Sequence, residues 1–142
     1  MSRSFSEFDI RQTDENEWQL LKPFVYHDSV FGAIVVPEGF KTNFASIESL
    51  RLPLFPLYAM LANYGDRAAT VHDYLYGGHP IEVNGLPKYL WRAEADDVLY
   101  RALRAEGIAR WRARMFWAGV RMGGESFFSL DKKPFTPPQI KE

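Results

Sequence analysis

The chain has 142 residues, a net charge of −1, 46% hydrophobic and 15% aromatic side chains, and no cysteine. That length suits one domain with a real core. The near-neutral charge excludes bulk attraction to nucleic acid or an anionic membrane, and the lack of cysteine excludes disulfides and thiolate metal sites.

The segment from Met1 to Glu7 is polar and acidic too early for a signal peptide. No apolar run approaches the roughly 20 residues that span a bilayer, so a soluble chain or a part of a larger assembly is expected. The first third reads as β. Trp18 to Leu21 and Phe24 to Tyr26 form one extended stretch interrupted by Pro23, which points to an edge or a bulge. Ala33 to Val36 is a short buried strand that ends at a Pro37-Glu38-Gly39 turn, and Phe40 to Ile47 returns with partial alternation.

Prolines between Leu50 and Leu57 forbid regular helix and predict a rigid connector, followed by a short helix over Leu57 to Asn63. Gly65 breaks the chain, Asp66 is placed as an N-cap for a helix from Arg67 to Tyr76, and Gly77-Gly78 stops it. Asn84-Gly85 between short apolar runs is a hairpin signal. A longer helix runs from about Tyr89 or Trp91 to Glu106 and closes at Gly107, and another runs from about Ala109 to Met122. The segment from Lys132 carries Pro134, Pro137 and Pro138 and reads as an extended arm. The fold class expected is α+β, a small antiparallel N-terminal β-sheet packed on a three- to four-helix C-terminal part with a central antiparallel helix pair. One domain is expected over 1–142, β-rich over 1–50, helical over 56–124 and extended over 131–142.

Helical spacing places Ala68, Val71 and Leu75 on one stripe of the first long helix and Ala69, His72 and Tyr76 on the next, with His72 at the margin of the core face. On the following helix Trp91, Ala95, Val98 and Ala102 form one stripe and Arg92, Asp96, Leu99 and Leu103 its neighbour, whereas Asp97 aligns with Arg101 and Arg104. An acid among leucines needs a partner. His72, with Tyr76 as a second donor, is the partner this pattern supplies, and alanines on both helices let the backbones approach. The cluster admits two readings: a catalytic histidine with an orienting acid, or a structural hydrogen-bond network that satisfies its own buried groups.

The run Asp66, Arg67, His72, Asp73, Tyr76 resembles the catalytic helix of secreted phospholipases A2. Ala68, Ala69 and Leu75 stand where that family has cysteines, and Ala95-Asp96 and Ala102 occupy the matching places on the second helix. The resemblance implies His72 as the base that activates water, Asp96 as its orienter, Tyr76 as support for Asp96, and Asp73 as a ligand of Ca²⁺. The Gly-rich calcium loop of that family has no counterpart, because Leu52 to Leu57 is rich in proline and leucine instead.

The chain as a whole resembles a phage and prophage family classed as a domain of unknown function, number thirteen fifty-three. The resemblance is carried by Val36-Pro37-Glu38-Gly39-Phe40-Lys41-Thr42-Asn43-Phe44-Ala45-Ser46-Ile47, by His72 to Tyr76, by Ala95-Asp96 and by Val120-Arg121. Asn43 stands where that pattern has Asp and Glu48 where it has Pro. An amide oxygen is a neutral ligand, so Asn43 weakens any metal site it joins.

Arg110, Arg112, Arg114 and Arg121 surround Trp111, Met115, Trp117 and Met122 on the last helix. A basic aromatic face for lipid or nucleic acid is one reading, but Trp111, Met115, Ala118 and Met122 make one stripe, and an amphipathic core helix is the expectation. His27 and His79 lack a second ligand at zinc-site spacing, and no nucleophile elbow surrounds Ser46. The site residues expected are therefore His72, Asp96 and Tyr76 for catalysis and Asp73 with Asn43 for metal, with Ca²⁺ as the implied cofactor. The function expected is a phage-encoded ester hydrolase acting on the host envelope during entry or lysis. The alternative is a non-catalytic tail or baseplate component. Expected partners are other virion proteins or host envelope lipid rather than nucleic acid, in the virion or the host cytoplasm.

Overall fold

A computed structural model describes residues 4–15, 17–42 and 65–123. The expected connector at Leu50 to Leu57, the short helix at Leu57 to Asn63, the arm over 131–142, and the residues Asn43 and Ser46 lie outside the described residues.

Strands β1 (Ile10–Asp14), β2 (Glu17–Leu20) and β5 (Lys41–Thr42) form an antiparallel sheet in the order β1-β2-β5. Sequence alternation misses β1 because Ile10 is its one apolar residue and Arg11 to Asp14 are exposed. Strands β3 (Phe24–Asp28) and β4 (Gly32–Val36) form a separate antiparallel hairpin, with Phe24 facing Val36 and Tyr26 facing Ile34. The stretch expected to be one extended strand is thus two strands in different sheets. Pro23, which has no N–H to give to a ladder, falls at the crossing between them. The Pro37–Phe40 turn forms as expected. The Phe40 amide donates to the Pro37 carbonyl at 3.2 Å, and Gly39 takes the φ of +87° that the turn requires.

Helix α1 spans Asp66–Tyr76, the β6–β7 hairpin spans Ile81–Val83 and Leu86–Lys88, and helices α2 and α3 span Arg92–Ala105 and Arg110–Gly123. At the hairpin tip Asn84 and Gly85 both have positive φ, 54° and 78°, as the Asn-Gly signal predicts. Gly65 approaches Leu103, the Ala68 amide meets Glu106, and His72 and Tyr76 both meet Asp96. The start of α1 thus meets the end of α2 and its second half meets the first turns of α2, so the two helices run antiparallel, and the α+β arrangement with its central helix pair stands.

Two local expectations need correction. Asp66 is the first helical residue rather than the cap. Gly65 holds the N-cap position at φ 82°, with no side chain to offer, and a Cβ there would lie 2.9 Å from the Leu103 side chain. The capping bond comes instead from Glu106, the residue just past α2, whose Oε1 accepts the Ala68 amide at 2.7 Å. The second correction concerns α3. Ala113, Phe116 and Val120 are its buried stripe, while Trp111, Met115 and Met122, expected in the core, are exposed. Two contacts set this rotation: Trp117 Nε1 donates to Asp97 and Arg121 reaches Asp96, which turns Trp111, Met115 and Met122 away from α2.

The core joins Leu20, Phe24, Ile34 and Val36 from the strands to Val71, Leu75, Leu99 and Phe116 from the helices. The hairpin β3–β4 is tied to α2 by Arg101, which forks onto buried Asp28 with bonds of 2.9 and 3.0 Å. Burial pushes the Asp28 carboxyl up, but the Arg101 hydrogen bonds and those from the Phe31 amide and Tyr26 outweigh it and leave the carboxyl below its ordinary range.

Candidate active site

Helix α1 is buried almost all round, so His72 does not sit at the margin of a core face as its spacing suggests. It is 0% exposed, as is Asp96 across from it. Thr42 at the end of β5 meets Asp73, and Asp96 on α2 meets His72 and Tyr76, on sides that an isolated amphipathic helix would leave in water. The ring Nε2 of His72 lies 2.7 Å from Asp96 Oδ1, and Tyr76 Oη donates to the same oxygen at 2.5 Å. The expected His72–Asp96–Tyr76 cluster is therefore present in one place.

The other carboxylate oxygen, Oδ2, accepts from Arg121 at 2.9 Å and has Arg92, one turn earlier on α2, 4.0 Å away. Burial would push the Asp96 carboxyl up. The hydrogen bonds from His72, Tyr76 and Arg121 outweigh burial and hold it below the usual carboxylate range, so it is ionised at neutral pH. An ionised carboxylate only accepts, which assigns a hydrogen to Nε2. The Tyr76 hydroxyl is pushed well above its ordinary range, by burial first and then by Asp96, and so remains a donor.

Sequence spacing alone missed Arg121. The signal was available in the charge balance: a buried carboxylate facing a histidine and a tyrosine still needs a permanent cation. Arg92 also donates to the carbonyls of Val120 and Arg121, at 3.5 and 3.3 Å, and so fastens the end of α3 over the site.

Asp73 points to the next feature. It is half-buried, and its Oδ2 accepts from Thr42 Oγ1 at the end of β5. Thr42 thus lies against α1. Among the described residues no three His, Asp or Glu side chains converge as a metal cluster. Calcium takes about 6–8 oxygens, whereas Asp73 supplies a single carboxylate already engaged by a hydroxyl. The described donors do not compose a calcium site.

A cleft of about 420 Å³ lies on the neighbouring face of α2, between Asp97, Tyr100 and Arg101 on that helix and Arg114, Trp117 and Ala118 on α3. It does not reach His72.

Residues 18–120 match the model of a family described as a protein of unknown function (DUF1353). No curated protein matches the chain, and no solved structure does.

Proposed function

The chain belongs to the DUF1353 family, whose description carries no chemistry, and we propose that it is a phage- or prophage-encoded ester hydrolase acting on the host envelope, with His72 as general base. The reading is carried by one observation: His72 and Tyr76 converge on a single oxygen of a buried, ionised Asp96. With a hydrogen on Nε2 facing Asp96, Nδ1 is the atom to which this reading gives the proton. In the reaction Nδ1 removes a proton from water while the water oxygen adds to the ester carbonyl carbon. The tetrahedral adduct collapses by breaking the bond to the leaving oxygen, and the imidazolium returns the proton to that alkoxide. Asp96 orients the ring and stabilises its charged form without taking the proton. Tyr76 and Arg121 hold Asp96 in place. If Ca²⁺ binds, Asp73 and Asn43 would hold it, and the further oxygens it needs would come from outside the described residues.

A base with no exposed surface must meet water through opening of the site. Deuterium exchange at the ring carbon of His72, compared with exposed His27, measures that opening. The activity test is release of acid from phospholipid and from a soluble short-chain ester at neutral pH, with calcium and with chelator. His72→Gln, checked for folding by circular dichroism, should lose about 10²-fold or more. Wild-type rates equal to the buffer blank on both substrates in both conditions discard the hydrolase reading.

The complete enclosure of His72 and Asp96 favours a second reading, a non-catalytic virion component of tail or baseplate that keeps the helix pair as a rigid scaffold. Under it every hydrolysis assay is blank, His72→Gln loses only stability, and the chain is found by mass spectrometry in purified particles.

A further inference from the structure

Helix α3 has fourteen residues, Arg110 to Gly123, and its only charged side chains are four arginines. Its outward side carries two parallel stripes. Trp111, Met115, Ala118 and Met122, at successive spacings of four, three and four, form the first. Arg110, Arg114 and Trp117 repeat the same spacing as the second, and Arg121, next in that spacing, turns inward onto Asp96. Trp111 is 54% exposed and Met122 70%, and Met115 and Trp117 are exposed as well. Core residues of such size are ordinarily buried, and a continuous apolar strip left in water marks a contact surface.

The cations beside that strip are available. Arg121 is turned inward onto Asp96 and the Arg112 guanidinium sits 5.1 Å over the Trp111 ring, but Arg110 and Arg114 are exposed and have no ion-pair partner among the described residues. Arg114 also stands at the wall of the cleft between α2 and α3, beside Trp117 and Tyr100.

We propose that the solvent-facing side of α3 is a docking surface for an anionic lipid bilayer. An α-helix of this length is about 21 Å long, and among the described residues no helix is long and apolar enough to cross a membrane, so α3 lies in the plane of the interface. Indole rings rest at headgroup depth, methionine thioethers reach just below it, and the two free guanidinium groups meet lipid phosphates. A nucleic acid would engage the arginines and leave Met115 and Met122 without an apolar partner. The proposal stands on this surface alone and holds whether or not His72 is a base.

The test is binding of the full chain to vesicles of phosphatidylcholine alone and with about one third phosphatidylserine, read by flotation and by the tryptophan emission shift at physiological salt. Binding to the anionic vesicles with a blue shift, weakened by added salt, is expected. Arg110→Gln with Arg114→Gln should weaken it about 30-fold, from roughly 1 kcal/mol for each basic residue near an anionic surface. Trp111→Ser with Met122→Ser should abolish the blue shift of wild type. Leu86→Ser, which removes an exposed apolar side chain from the β6–β7 hairpin, should bind as wild type. His72→Gln, folded, should also bind as wild type, so loss of hydrolysis and loss of docking are read apart. The proposal is overturned if wild type ignores anionic vesicles, if both α3 double variants bind as wild type, or if sedimentation shows that a second copy or an added single-stranded oligonucleotide occupies α3 instead.

Discussion

Removing Asp96 should cost the fold several times more than removing its neighbour Asp97. Asp96→Ala leaves the His72 ring N–H, the Tyr76 hydroxyl and the Arg121 guanidinium aimed at an empty space inside the protein. Each neutral buried donor left unsatisfied costs about 1–3 kcal/mol, and breaking a buried ion pair by deleting one partner costs about 3–5 kcal/mol. Because the three donors share one acceptor, these figures overlap, and a total of about 3–5 kcal/mol is expected. That is a large part of the roughly 5–15 kcal/mol that holds a domain together. Asp97, in contrast, is exposed and accepts one bond, from Trp117 Nε1 at 3.0 Å, so Asp97→Ala should cost about 1 kcal/mol or less. Urea unfolding followed by circular dichroism reads both, with unchanged slopes showing that the denatured states are comparable. The pH dependence adds a second check. The folded Asp96 carboxyl lies below its ordinary value of 3.8, so its contribution is present above that value and is lost as pH falls through the lower, folded one. The advantage of wild type over Asp96→Asn should therefore hold at neutral pH and shrink only in strong acid. Equal urea midpoints for Asp96→Ala and Asp97→Ala would refute the buried network as a stabilising unit.

Glu106 should act in the opposite sense. Burial pushes its carboxyl up from 4.5 to about 7, so its contribution is complete below 4.5 and is lost as pH rises through 7. Relative to Glu106→Gln, wild type should lose about 3 kcal/mol between pH 4 and pH 8, and a flat difference in thermal midpoint would contradict this. Gly65→Ala should destabilise by more than Gly85→Ala: both positions have φ near +80°, but a Cβ at Gly65 meets Leu103 while one at Gly85 meets nothing within 4 Å. Arg101→Met should cost about 3 kcal/mol or more by stranding Asp28, measurable as a lowered urea midpoint, whereas a midpoint equal to that of wild type would show the hairpin to be held by packing alone.

Local signals in the chain determined most element boundaries and one half of the site. The Asn84-Gly85 tip, the Gly77-Gly78 stop and the Pro37–Phe40 turn follow from backbone preferences that neighbours cannot change. The His72–Asp96–Tyr76 contact was legible because helical spacing put an acid among leucines opposite a histidine, and burial forces such an acid to find a donor. Tertiary structure decided what spacing cannot carry. The cap of α1 comes from Glu106, thirty-eight residues from the amide it accepts, because Gly65 must stay bare against Leu103. The depth of His72 depends on the packing of α2 against a helix that looks only half-buried by itself. The rotation of α3 was undecidable from its own pattern: two apolar stripes compete for the core. Arg121 and Trp117 choose between them by reaching Asp96 and Asp97, contacts whose partners lie on another helix.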